Sequence, residues 1–254
     1  MAAPMLPLPQ QTPGHWLLAL VLNAVLIALA QRLPVLTRAG WVHAGILGTL
    51  LWGSLGPRGW LAVVAYLALG SLVTRLGFAV KQAGGLAEAR GGRRGPENVW
   101  GSALVGTVLA LLACRAPSER VPWLLAAFAA SFAAKLADTF GSEVGKRWGR
   151  RALLITTLRP VPAGTEGAVS LEGTLASLAG SGLMALVMLL LGLIRGGEAW
   201  LAVTAIGLVA TLAESLIGAT LQQRWPAVLT NERVNALQTF LAALLALLLL
   251  PSGP

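Results

Sequence analysis

Eight long runs of leucine, alanine, valine and isoleucine, none of them alternating apolar with polar residues, decide what this chain folds into. A hydrocarbon core about 30 Å thick is crossed by roughly 20 mostly apolar residues in a helix. Inside lipid every backbone amide needs an internal partner, so only helices and closed barrels span it. Barrel strands would alternate, and these runs do not. The segments lie near 15–30, 42–55, 60–78, 99–114, 123–139, 174–194, 200–221 and 234–250. Trp16, Trp60, Trp100, Trp123 and Trp200 stand near segment ends, where indoles favour the membrane interface.

Composition agrees: 56% of the residues are hydrophobic and only 11% are charged, too apolar for a soluble domain. The expectation is an all-α, polytopic integral membrane helical bundle of about eight spans, forming one domain over residues 1–254. A net charge of +9 would suit nucleic acid on a soluble protein. Here it reads as basic residues retained on the cytoplasmic side, with no nucleic-acid partner. The proline-rich stretch 1–13 has no basic residue ahead of the first apolar segment, which argues against a cleaved signal peptide. Cys114 has no disulfide partner, and no Cys/His group has metal-ligand spacing. The isolated His15 and His43 read as interface or core residues.

Eight spans provide a parity test. The odd-numbered connections hold thirteen basic residues and the even-numbered ones four, namely Arg58, Arg115, Arg120 and Arg195. This asymmetry places the odd connections in the cytoplasm and both termini outside. The acids follow, since only Glu119 and Glu198 fall in the even connections. The polar chemistry therefore gathers in two cytoplasmic-side functional loops, 81–98 and 138–174.

Lys135, Asp138 and Ser142 share one helical stripe by their i, i+3, i+7 spacing, and Thr211, Glu214, Gly218 and Gln222 form another. Ionisable groups in or beside apolar segments are costly and face a polar cavity or a partner. A purely structural Lys–Asp pair with a helix-end carboxylate is the plain alternative. In the first loop, glycines permit close backbone approach while Arg93 and Arg94 suit the bidentate grip of phosphate oxygens. That loop fits an anionic lipid headgroup or a nucleoside triphosphate, without the Gly-Lys-Ser/Thr of a Walker A loop. The second loop combines Asp138, Glu143, Glu172, Lys146 and Arg159 with hydroxyls and glycines. Mg²⁺ takes one or two carboxylates with the remainder from phosphates and water. Lys and Arg neutralise charge on a transferred phosphoryl group.

At these residues the chain resembles the integral membrane family that contains plant phytyl-phosphate kinase and the animal transmembrane-protein-19 proteins. The matching blocks are Gly91-Gly-Arg-Arg-Gly with Asn98, Ala137-Asp-Thr-Phe-Gly-Ser-Glu-Val-Gly145, Pro162-Ala-Gly-Thr-Glu-Gly-Ala-Val-Ser-Leu-Glu-Gly-Thr174 and Glu214-Ser-Leu-Ile-Gly-Ala-Thr-Leu-Gln222. They run from about Lys81 to Asn235. Glu214 departs from the family's pattern, which has Asp there. A second resemblance, Asp138…Gly145-Lys146 followed by Leu171-Glu-Gly-Thr174, is to membrane polyprenol kinases that use CTP.

These resemblances imply an Mg²⁺-dependent, CTP-favouring transferase that phosphorylates phytyl or geranylgeranyl monophosphate. Asp138, Lys146 and Arg159 would be catalytic. Arg93, Arg94, Asn98, Ser142, Gly164, Thr165, Gly167 and Ser170 would bind the phosphates, and Asp138, Glu143, Glu172 and Glu214 the metal. The alternatives are a CTP-dependent polyprenol kinase, a lipid cytidylyltransferase and, from another class, a lipid or ion transporter. Small-residue runs, Gly101–Gly106 and Gly173–Gly182, permit close helix packing within a chain or in a homo-oligomer.

Overall fold

The computed structural model describes residues 7–250, so residues 1–6 of the proline-rich N-terminal stretch lie outside the described residues. The described residues run through nine α-helices: α1 (Pro13–Ala30), α2 (Arg38–Leu55), α3 (Pro57–Arg75), the short α4 (Phe78–Ala83), α5 (Pro96–Ala113), α6 (Val121–Trp148), α7 (Leu171–Leu190), α8 (Gly196–Ile217) and α9 (Asn231–Leu249). A 3-10 turn, Ala89–Gly92, precedes α5, and a π-turn, Gly218–Gln222, prolongs α8. Strands β1 (Leu153–Leu154) and β2 (Ala168–Val169) pair antiparallel between α6 and α7.

Eight of these helices are long and stand where the eight apolar segments were expected. Six of them are long and apolar enough to cross a membrane: α1, α3, α6, α7, α8 with its π-turn, and α9. The polytopic bundle is therefore supported for six spans. Helices α2 and α5, diluted by glycine, hydroxyl and charged or amide residues, fall short of that test.

Helix α6 is the axis of the bundle. Its alanine-rich stretch from Leu125 to Ala137 is buried at every position, and α3, α5, α7, α8 and α9 all pack on it. Side chains this small let neighbouring backbones come close where lipid offers no hydrophobic drive between helices. Gly180 on α7 is one such contact: a Cβ there would lie 2.9 Å from the Leu136 carbonyl oxygen. Gly207 on α8 is another, at 3.1 Å from the Ala133 carbonyl carbon. The small-residue run around Gly173–Gly182 thus serves packing within the chain.

At 28 residues, α6 is about 42 Å long at about 1.5 Å per residue, which exceeds the hydrocarbon thickness. The helix is long enough for its polar C-terminal turns to extend past the apolar slab. The expected loop 138–174 is corrected here: residues 138–148 continue α6, and the irregular segment begins at Gly149. Gly141 and Gly145 hold that extension against the start of α7, where Gly173 and Ser177 leave no room for a Cβ at Gly141.

The odd-numbered connections meet at one end. Arg94 N donates to Val35 O at 3.1 Å, Lys146 Nζ to Glu88 Oε1 at 3.1 Å, and Gln223 Nε2 to Glu166 O at 3.3 Å. At the periphery, α1 packs chiefly on α2, and α3 packs on α2 and α6. An apolar cleft of about 480 Å³ remains between α1 and α3. The two histidines take packing roles: His43 Nδ1 accepts from Trp100 Nε1 at 2.8 Å, and His15 Nε2 lies 3.2 Å from Trp52 O.

Candidate active site

The polar end of the bundle encloses a cavity of about 420 Å³. Its walls come from the ends of separate helices and two loops. Helix α6 contributes Lys135, Asp138, Ser142 and Lys146 from successive turns. Lys135 pairs with Asp138, and its Nζ also donates to Asn235 Oδ1 at 2.9 Å. The expected stripe on α6 therefore faces the cavity as its spacing required.

The opposite wall is the 3-10 turn and the start of α5. Pro96 occupies the first turn, where its missing N–H costs nothing, and Asn98 Oδ1 accepts from Gly95 N at 2.9 Å to cap the helix. Asn98 Oδ1 also accepts from Arg90 Nη2 at 3.0 Å, and its amide lies 3.4 Å from Glu232 Oε1 on α9. Arg94 Nη1 donates to the Tyr66 hydroxyl at 3.0 Å, with the guanidinium carbon 5.5 Å from the ring centroid. Gly70 on α3 makes this possible, because a Cβ there would stand 2.9 Å from Nη2 of Arg94. The fork is thus oriented by an aromatic hydroxyl rather than by a carboxylate.

The lid is the loop 162–170. Gly167 has φ +77°, and a Cβ on it would meet the Ser215 carbonyl oxygen at 2.6 Å, so the loop lies flush on the end of α8. Gly164, Thr165, Glu166 and Ser170 line the cavity from it. Ser170 also caps α7, accepting from Gly173 N at 3.1 Å. Partial burial pushes the Glu166 carboxyl above its ordinary range; Lys146 draws it down, while Asp138 and Glu88 push it up again.

Of the residues expected from sequence, Asp138, Lys146, Arg93, Arg94, Asn98, Ser142, Gly164, Thr165, Gly167, Ser170, Glu143 and Glu214 line this one cavity. Two do not. Arg159 is exposed in the β1–β2 loop, where its carbonyl accepts from Leu154 N at 2.9 Å. Glu172, in the first turn of α7, accepts from Arg150 N at 3.4 Å and stands outside the cavity. Glu143 reaches the wall, but its carboxylate is bound by Lys81 Nζ, which also donates to Thr74 O at 2.8 Å. On the second stripe, Thr211 and Glu214 face the cavity, while Gly218 and Gln222 are buried in the π-turn.

Sequence reasoning missed Glu88, Asn231, Glu232 and Asn235, all of which line the cavity. The signal for the last three was available: Asn231, Glu232 and Asn235 crowd polar groups into the first turns of a helix that is otherwise apolar.

Among the described residues, no three His, Cys, Asp or Glu side chains form a metal cage. A phosphate-borne Mg²⁺ does not need one, since it takes one or two carboxylates and keeps water and phosphate oxygens for the rest. Asp138 and Glu214 are cavity carboxylates on facing helices that suit that demand.

The polar cavity does not end at α5. Arg94, Asn98 and Ser102 line both it and the apolar cleft between α1 and α3, so the two spaces adjoin along one helical edge. Trp41, buried in the cleft wall, has an indole N–H that meets no acceptor among the described residues.

Comparisons with known proteins show the chain to be one of a family of integral membrane proteins. The family described as integral membrane protein DUF92 matches residues 21–243. The chain is 50% identical over 234 residues to an uncharacterized membrane protein of Synechocystis sp., covering 91% of this chain and 90% of that one. It is 39% identical over 248 residues to Protein VTE6, chloroplastic, of Arabidopsis thaliana, covering 94% of this chain and 73% of that one. An uncharacterized membrane protein of Methanocaldococcus jannaschii is 31% identical over 232 residues, covering 91% and 92% respectively. No solved structure matches the chain.

Proposed function

The chain belongs to the DUF92 family of integral membrane proteins, and from that premise we propose that it is a prenyl-monophosphate kinase. The observation that carries this reading is the junction of a charged cavity with an apolar cleft at Arg94, Asn98 and Ser102. A substrate with an anionic head and a long hydrocarbon tail satisfies both spaces at once. Its tail lies between α1 and α3 and its phosphate sits beside the Arg94 fork. The buried Trp41 N–H supplies a further donor for an ester oxygen.

The donor is a nucleoside triphosphate, with CTP favoured by the resemblance of Asp138…Lys146 and Leu171–Thr174 to polyprenol kinases. Its phosphates lie between Arg93 and Lys146 under the glycine-rich lid. A terminal oxygen of the prenyl monophosphate attacks the γ-phosphorus, and the bond from that phosphorus to the β–γ bridging oxygen breaks. The products are the prenyl diphosphate and a nucleoside diphosphate. The attacking oxygen is already anionic, so no side chain has to remove a proton from it. Positioning and charge neutralisation supply the acceleration. Mg²⁺, held by Asp138 and Glu214, would supply charge neutralisation on the donor phosphates. Lys135 keeps Asp138 oriented, and the lid loop excludes water. The basic bias of the connections at this end supports placing the cavity in the cytoplasm, with both termini outside.

The test is mass spectrometry of lipid products after purified protein is incubated with Mg²⁺, prenyl monophosphates and each of CTP, ATP, GTP and UTP. Formation of prenyl diphosphate that is lost in Asp138→Asn supports the proposal. No diphosphate with any donor, or equal turnover by the variant, overturns it. Phosphorylation of the free alcohol, or transfer of CMP, would instead identify a polyprenol kinase or a cytidylyltransferase.

A further inference from the structure

The far end of the apolar cleft is closed by a polar bond from the middle of α1 to the first turn of α3. Asn23 is only 2% exposed on α1, a helix with no other polar side chain between Trp16 and Ala30. Trp60 Nε1 on α3 donates to Asn23 Oδ1 at 2.9 Å, and Asn23 Nδ2 donates to Ala19 O at 2.8 Å. Gly48 on α2 leaves space for the pair: a Cβ there would lie 2.2 Å from Asn23 Oδ1 and 3.2 Å from Trp60 Nε1. Trp52 packs edge-on to Trp60 with ring centroids 5.6 Å apart, which fixes the indole.

Helix α1 packs chiefly on α2 and makes little contact with α3, so this bond bridges the two walls of the cleft. A polar side chain on an otherwise apolar helix is costly unless it is satisfied, and here the amide and the indole satisfy one another. On the opposite side the cleft runs to Arg75 and Arg94, whose charges favour an anionic head. The cleft is therefore polarised, with cations at its mouth and a rigid hydrogen-bonded floor.

Resting on the kinase reading for the identity of the head group, we propose that Asn23 and Trp60 form a length gauge that limits the hydrocarbon tail of the acceptor. The lining face of α3 runs from Trp60 to Arg75, about 22 Å at about 1.5 Å per residue. An extended hydrocarbon advances on the order of 1.3 Å per bond, given C–C bonds of about 1.5 Å. The space takes at most about 17 main-chain carbons, close to four isoprene units. A longer tail would have to leave the groove sideways into lipid or break the bridge. Trp60 and Asn23 are then specificity-determining residues that touch the end of the tail and none of the reacting atoms.

The test measures equilibrium binding, without nucleotide, of prenyl monophosphates of ten, fifteen, twenty and thirty carbons to the full chain in nanodiscs. Product formation with nucleotide is followed in parallel. For the wild type, affinity should rise with length up to the gauge and fall at least tenfold beyond it. Trp60→Ala should move the limit upward by one isoprene unit or more. Ala44→Phe, which fills the cleft wall nearer its mouth, should move it downward. A photoreactive group at the tail end of a twenty-carbon probe should cross-link to the segments around Asn23 and Trp60.

An unchanged length profile in both variants, or cross-links confined to other helices, overturns the gauge. If the variants shift binding while no preparation forms diphosphate, the gauge stands and the kinase reading falls. If diphosphate forms with an unshifted profile, the kinase reading stands and the gauge falls.

Discussion

Lys81 and Glu143 meet in an ion pair sealed from solvent, with 0% and 3% of their side chains exposed. The pair joins α4, in the basic loop, to the C-terminal end of α6, and Lys81 also holds the Thr74 carbonyl at the end of α3. Three separate elements, two of which line the cavity, are thereby tied at one ammonium group. Removing one member leaves a buried charge uncompensated, which costs about 3–5 kcal/mol. Glu143→Gln should lower thermal stability in detergent by that order, whereas the double replacement Lys81→Met, Glu143→Leu should recover most of it. Loss of turnover by Glu143→Gln at an unchanged melting temperature would assign Glu143 a chemical role instead.

Arg94 should not tolerate lysine. Its fork is set by the Tyr66 hydroxyl at 3.0 Å and by the space left at Gly70, and a single ammonium cannot reproduce two parallel N–H bonds to a phosphate. Arg94→Lys should raise KM for the prenyl monophosphate about tenfold, equivalent to about 1.4 kcal/mol. Arg159→Ala, exposed in the β1–β2 loop, should leave KM and kcat within about twofold. Steady-state kinetics on the two variants decides the matter, and the reverse ranking would move the phosphate site to the 155–167 loop.

Helix contacts on α6 should discriminate between neighbouring glycines. A Cβ at Gly180 meets the Leu136 carbonyl oxygen and the Phe140 Cβ at 2.9 Å, whereas one at Gly182 has ordinary contacts of 3.6 Å. Gly180→Val should destabilise the bundle by about 1–3 kcal/mol, and Gly182→Ala should be close to neutral. Denaturant or thermal unfolding in detergent would check this, and equal effects would mean that α7 is free to shift along α6.

Glu166 predicts a pH dependence of definite sign. Its carboxyl is raised above the ordinary value of 4.5, chiefly by partial burial, then by repulsion from Asp138 and Glu88 against the pull of Lys146. The folded protein therefore holds this proton more tightly than the unfolded chain does. Stability falls as pH climbs from about the ordinary carboxylate value through the raised one, and the loss persists above it. Glu166→Gln removes the titration, so the variant should be slightly more stable than wild type at neutral pH. The difference should vanish below about pH 4, where the wild-type carboxyl is protonated in both states. A melting-temperature series against pH is the measurement, and a constant offset at all pH values would refute the assignment.

Much of the molecule is legible in single segments. Apolar runs placed the eight long helices, six of them long and apolar enough to cross lipid, because hydropathy is a local property. The i, i+3, i+7 spacing of Lys135, Asp138 and Ser142 put them on one face, and they do line one wall. Glycine and hydroxyl blocks marked the lid loop, whose Gly167 is pressed against Ser215 and Ala219.

What remained hidden depends on which face of each helix looks inward. In water the apolar face announces the core, but in lipid both faces are apolar and that signal is lost. Sequence alone therefore determined a helical membrane chain with its charged chemistry gathered at one end. Only the packed bundle decided that Asn231, Glu232 and Asn235 join that chemistry, that Arg159 and Glu172 stand apart, and that α6 stays helical to Trp148. It also decided that α1 and α3 leave a cleft ending at the Asn23–Trp60 bond. These are relations between residues far apart in the chain, set by how closely small side chains let helices approach, and no local pattern encodes them.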